Sequence, residues 1–228
     1  LPGSLCDERL FEPQLSHFPE INAKVLKYLP EHDSIASMAE SALSLFDGPF
    51  HLVGLSMGGI VALDILRKAP ERVQSVALFD TNPRAEKPMN KPLRHQHVDD
   101  VTREGRAGLA QLLSDSLKPK YLGDEHADNE SIRQRVIDMG LSAGPANLVA
   151  QWQALMGRLC SIESLSDIRV PTLIGCGEQD ALCPVEVHEM MANKIQGSTL
   201  LTVPRCGHLI TLEAPDQVNK ALTALWKL

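Results

Sequence analysis

A serine, a histidine and a carboxylate stand in this sequence in settings where they could work together. Gly54-Leu55-Ser56-Met57-Gly58 places a serine between glycines where the apolar run FHLV passes into the helix-like IVALDILRKAP. Glycines weaken either a strand or a helix by roughly 0.5–1 kcal/mol each, so the pattern makes sense where the backbone must turn tightly. Such a turn lifts the hydroxyl above a sheet edge, at a helix N-terminus whose dipole favours developing negative charge. A serine hydroxyl is a weak nucleophile near neutrality; it needs a base to take its proton, and the base needs a third group to orient it. Two downstream stretches supply candidates: Glu178-Gln179-Asp180 after the run VPTLIGCG, and Arg205-Cys206-Gly207-His208 after STLLTVP. Both follow expected strands at their carboxyl ends, the edge where open α/β sheets build their sites.

Other residues compete for these roles. Asp80 ends the run RVQSVALFD and is an alternative acid, but Asp180 has the better loop context. Glu178 is read as solvent-facing. His51 lies within an expected strand as a core or edge residue, and His95, His97 and His126 lie in polar stretches. His95-x-His97 lacks a third ligand at sensible spacing, so no metal site is expected. Asp124, Glu125 and Asp128 read as a solvated acidic loop. Cys176 is read as buried packing, Cys206 lies two residues before His208, and Met57 is expected to form a soft apolar wall beside the serine.

The elements that must position these residues alternate along the chain. Strand-like runs are expected at 23–29 (AKVLKYL), 50–55, 72–80, 170–177 and 198–204, and helix-period segments from 35, from 57 to 69, from 184 to 195 and after Pro215. That alternation predicts a mostly parallel sheet covered by helices. Between 81 and 166 the strand rhythm stops: TNPRAEKPMNKP is polar and proline-rich, and helical stretches follow around 106–117, 131–140 and 145–159. Because strands resume afterwards, residues 81–166 are expected to be a helical insertion between core segments 1–80 and 167–228.

Composition excludes several function classes. With 228 residues the chain suits one α/β domain, and no apolar stretch approaches the length of a membrane span. A net charge of -7 without a basic stripe argues against a nucleic-acid partner. Five cysteines without a C-x-x-C pair suggest neither a disulfide framework nor a zinc ribbon, and fit a reducing, cytoplasmic compartment. The opening LPGSLCDE has no initiator methionine and no charged-then-apolar leader, so no secretory signal is visible, and the missing methionine points to processing or to a start upstream.

The chain order Ser56, Asp180, His208, with the serine at a strand-to-helix turn, resembles the α/β-hydrolase superfamily, and the resemblance covers nearly the whole chain. Pro2-Gly3-Ser4, with Phe11 eight residues after the glycine, is similar to that family's HG-x stretch and its later aromatic, with proline in the histidine's place. The resemblance implies an α/β-hydrolase fold, with helices on both faces of a mostly parallel sheet and the 81–166 insertion as a helical cap. It implies Ser56, Asp180 and His208 as catalytic triad, the backbone N–H groups of Ser4 and Met57 as oxyanion donors, and no cofactor or metal. The family normally has two or three strands before the oxyanion loop, where this sequence starts, so the expectation is either a reduced sheet of about six strands with an unusual edge or a numbering that omits those strands. A serine at the turn sets aside relatives that use aspartate or cysteine there, such as haloalkane dehalogenases, epoxide hydrolases and dienelactone-type hydrolases. The preferred activity is a carboxylesterase cleaving small to medium acyl esters, with a small-molecule ester and water as its partners. Thioesterase and carbon–carbon bond hydrolase activities are alternatives, as is a non-catalytic ligand-binding protein on the same fold.

Overall fold

The computed structural model describes residues 1–117 and 121–227. Four strands, β1 (Phe50–Leu55), β2 (Val73–Phe79), β3 (Thr172–Gly177) and β4 (Thr199–Val203), form one parallel sheet in the order β1-β2-β3-β4. Parallel neighbours need crossover connections, and helices make them. α3 (Met57–Lys68) links β1 to β2, and α7 (Val185–Lys194) links β3 to β4. Because all four strands run the same way, the loops that leave their carboxyl ends meet at one edge.

Alternate side chains divide the core into two layers. Val76, Leu78 and Ile174 point into a cluster with Met38 of α2 (Ile35–Leu43), Val61 and Ile65 of α3, and Met191 of α7. Ala77, Phe79 and Leu173 point to the other face, against Ile210 of α8 (Ile210–Glu213) and Val218 and Leu222 of α9 (Pro215–Trp226), and Leu15 of α1 (Glu12–His17) packs on the same layer. Burial of strand residues on both faces is the mark of a sheet covered by helices on both sides. Ser34 starts α2 with a capping box, its side chain accepting from Ser37 N–H at 3.1 Å.

Two expectations are corrected here. Residues 23–29 form no strand; Leu26 and Tyr28 are buried while Lys27 and Leu29 face solvent, so the two-residue period arises from an extended segment laid on the core without a ladder. The position beside β1 is taken instead by Leu1, whose carbonyl accepts Leu55 N–H at 3.1 Å. The sheet therefore has four strands among the described residues, not about six.

Between β2 and β3 the described residues carry helices and no strand. α4 (Lys91–Glu104) was not expected: Val101 is its one buried residue, so the helical period of apolar side chains is absent from its sequence. α5 (Arg106–Leu112) follows and runs into a wider π-type turn at Leu113–Leu117. α6 (Glu130–Gly157) is two arms joined at Gly144, with φ 83° and ψ 169°, directly before Pro145.

Candidate active site

The serine stands where the sequence placed it, at the turn from β1 into α3. Its backbone takes φ 55° and ψ -117°, a conformation sparsely populated for any residue with a side chain. The glycines around it are required by contact. A Cβ at Gly54 would lie 2.5 Å from the carbonyl oxygen of Gly58, and one at Gly58 would lie 2.0 Å from that of Leu1. Strand, helix and the 1–4 loop thus touch backbone to backbone around Ser56. Thr81 Oγ donates to the Ser56 carbonyl at 2.7 Å and fixes the turn from the neighbouring strand end.

Ser56 Oγ lies 2.9 Å from His208 Nε2, and His208 Nδ1 lies 2.8 Å from Asp180 Oδ2. Asp180 and His208 are each 4% exposed, while Ser56 is half-buried and reachable. The other Asp180 oxygen accepts the N–H groups of Leu182 at 2.8 Å and Cys183 at 2.9 Å. With one oxygen held by its own loop, the carboxylate presents the other to Nδ1–H, which leaves Nε2 as an acceptor aimed at the serine hydroxyl. Burial disfavours a charge on His208, but the neighbouring Asp180 outweighs it, with support from Asp80 and Glu213, so its pKa is raised above the ordinary value.

Three buried groups hold this arrangement. Glu213, 5% exposed on α8, accepts Gly207 N–H at 3.0 Å and Leu209 N–H at 3.1 Å, the amides on either side of His208, and Gly123 N–H at 2.8 Å. Asp80, fully buried at the end of β2, accepts Gly177 N–H at 3.1 Å and Ile210 N–H at 3.2 Å, so it ties the loops that carry the acid and the histidine to one point. Burial and the nearby Asp180 hold the Asp80 carboxyl well above the usual range. His188 of α7 accepts Thr81 N–H through Nε2 at 3.0 Å, and its Nδ1 lies 3.2 Å from the Pro184 carbonyl.

A family model for the alpha/beta hydrolase family matches residues 17–221 of the chain. The chain belongs to the alpha/beta hydrolase family. The hydrolase is 27% identical over 199 residues to a pimeloyl-[acyl-carrier protein] methyl ester esterase of Nitrosomonas europaea, covering 85% of this chain and 77% of that protein. It is 29% identical over 199 residues to a 2-hydroxy-6-oxo-6-(2'-aminophenyl)hexa-2,4-dienoic acid hydrolase of Metapseudomonas resinovorans, covering 83% of this chain and 62% of that one. Among solved structures, a thermophilic esterase from Thermogutta terrifontis superposes with a TM-score of 0.90 at 26% identity, covering 99% of this chain and 87% of the other.

The remaining sequence candidates of this hydrolase take other places. Met57 is the first residue of α3, where an amide has no acceptor within the helix, but its side chain is 1% exposed and packs in the core. Phe11 is buried in the opposite core layer. Glu178 is exposed, as read from the sequence, and Cys176 and Cys206 are buried. His51 is exposed on β1 and bonds Ser75 Oγ at 2.8 Å; His97 lies 3.4 Å from Trp152 Nε1. Asp180, Cys183 and His208 have ligand-type atoms within 4.8 Å of one another. Burial, with Asp180 and Asp80, pushes the Cys183 thiol well up, and Asp180 already takes His208 Nδ1–H, so these groups fit an Asp180–His208 hydrogen bond beside a neutral thiol better than a metal centre. Among the described residues no helix is long and apolar enough to cross a membrane.

Sequence reasoning missed Glu213, His188 and the bracing role of Asp80. Asp80 stood out only as a rival acid. Glu213 binds two amides just upstream of its own helix and one at Gly123, and His188 binds Pro184 and Thr81, but the near partners are backbone groups that leave no mark in the sequence.

Proposed function

We propose that the chain is a serine carboxylesterase that cleaves small to medium acyl esters through an acyl-enzyme on Ser56. The observation that carries this is the continuous hydrogen-bonded path from Ser56 Oγ through His208 to Asp180, at 2.9 and 2.8 Å. Ser56 Oγ attacks the ester carbonyl as His208 Nε2 takes its proton, and the imidazolium returns that proton to the departing alcohol. Water then attacks the acyl carbon as it gives a proton to His208, and the imidazolium returns that proton to Ser56 Oγ as the acyl C–Oγ bond breaks and the acid leaves. Asp180 keeps the ring in the productive tautomer and stabilises its cation. The amides of Ser4 and Met57 serve as donors to the oxyanion, each contributing about 3 kcal/mol to the transition state by analogy with other oxyanion holes. The segment 81–166 acts as a cap over the site, and the five unpaired thiols fit a reducing cytoplasm.

Hydrolysis of p-nitrophenyl acetate, butyrate, octanoate and palmitate, with Ser56→Ala as the blank, tests this reading. Turnover that vanishes in the variant and peaks at acetate or butyrate is expected. The likeness to the Metapseudomonas resinovorans hydrolase favours carbon–carbon hydrolysis as a second reading. Cleavage of a vinylogous ketoacid with the chromogenic esters untouched would replace the first reading by the second.

A further inference from the structure

The turn after Gly3 is held from outside the sheet. Leu5 has φ 57°, a left-handed conformation that a leucine keeps only where its surroundings fix it. Leu5 N–H donates to Gln151 Oε1 at 2.7 Å, and Ser4 Oγ donates to the same oxygen at 3.0 Å. Gln151 is 2% exposed and sits on the second arm of α6, beside Leu148 and Trp152, which pack in the same core layer as Met57. A second tether reaches the first arm. Arg9 Nη2 donates to the Asp138 carbonyl at 3.3 Å and to Ser142 Oγ at 3.0 Å, and Arg135 pairs with Glu12. The loop from Ser4 to Glu12 is therefore tied on both sides of the break at Gly144-Pro145.

We propose that Gln151 is a positioning residue for the oxyanion hole, so that the helical segment between β2 and β3 helps to stabilise the transition state as well as to cover the substrate. The proposal rests on the serine-esterase reading above. The Ser4 amide is rigidly placed only if the turn around it is, and the turn's outer bonds converge on one side-chain oxygen. Displacing a reacting or stabilising group by about 1 Å is enough to lower a rate by about 100-fold. Gln151 touches no reacting atom; it acts through Ser4 and Leu5.

Gln151→Leu keeps the bulk and removes the acceptor. The expected result is a fall in kcat for p-nitrophenyl butyrate of about 10- to 100-fold with KM within about twofold, the signature of an interaction lost in the transition state. The inhibition constant of an aryl trifluoromethyl ketone, whose hemiketal oxygen occupies the oxyanion position, should rise by the same factor. Ser4→Ala should give a smaller change in the same direction, and the double variant less than the product of the two effects, because both variants break one shared contact. Arg9→Ala, at a half-exposed side chain, should lower kcat slightly.

The wild type must first turn over the ester and be labelled at Ser56 by a fluorophosphonate; failure of both overturns the esterase reading and this inference with it. If the wild type passes and folded Gln151→Leu keeps its kcat and ketone affinity, or loses only thermal stability, the inference is overturned and the esterase reading stands. If Gln151→Leu does not fold, unchanged kcat and ketone affinity in both Ser4→Ala and Arg9→Ala overturn it, and parallel changes in both quantities support it.

Discussion

Replacing Asp180 by asparagine should disable the site while leaving its shape almost unchanged. One Asp180 oxygen is committed to Leu182 N–H and Cys183 N–H, and the other accepts from His208 Nδ1. Asparagine has a single acceptor oxygen. Facing that oxygen toward His208 would turn an NH2 group onto two buried N–H donors, at about 1–3 kcal/mol for each unsatisfied group. The favoured orientation therefore keeps the oxygen on the loop and points NH2 at His208 Nδ1. The ring must then accept there and carry its proton on Nε2, 2.9 Å from Ser56 Oγ, where it can no longer take the serine proton. By analogy with the same change in a serine protease, kcat should fall about 10,000-fold, or roughly 5.4 kcal/mol of activation free energy. The assay is steady-state p-nitrophenyl butyrate hydrolysis beside the wild type, with ketone binding to show that the pocket survives. Asp80→Asn is the comparison: its two oxygens accept the Gly177 and Ile210 amides and not His208, so asparagine turns NH2 onto one of those donors, at about 1–3 kcal/mol, and disturbs the loops without changing the His208 tautomer. A loss under about tenfold for Asp180→Asn, or an equal loss in Asp80→Asn, would refute the tautomer argument.

Two further outcomes are expected. kcat/KM should rise with pH as His208 loses its proton, and the midpoint should lie above the ordinary imidazole value of about 6.5: burial disfavours the cation, but Asp180 outweighs it. A wild-type midpoint at or below that value would contradict the arrangement, and Asp180→Asn should move it down. Glu213→Gln replaces a carboxylate oxygen by a donor facing the amides around His208. Losing a bond to a charged acceptor costs about 1.5–3 kcal/mol, so Tm should fall by roughly 3–12 °C in calorimetry, with kcat falling too; a shift under about 1 °C would show that the loop does not depend on it.

What could be read from the sequence was what short-range pattern and chain order encode. Ser56 announces itself because β1, the turn and α3 are contiguous, so the backbone crowding of Gly54 against Gly58 leaves glycines at fixed spacing. Asp180 and His208 follow strands that the short runs TLIGCG and TLLTV mark in the sequence. The segment at 23–29 misled because alternating burial resembles a ladder until the pairing partner is known, and α4 was missed because a helix that buries only Val101 leaves no period. The braces were illegible for a different reason. Glu213 binds backbone amides 4, 6 and 90 positions away, and Asp80 and Gln151 bind amides 97 and 146 positions away; a backbone amide has no residue type for a sequence pattern to record. The Ser56–His208–Asp180 path carries the proposed chemistry, whereas its precision rests on acceptors that only the folded chain brings into place. If that division holds, conservative changes at Glu213 or Gln151 should impair turnover more than substrate binding, although neither residue meets the substrate.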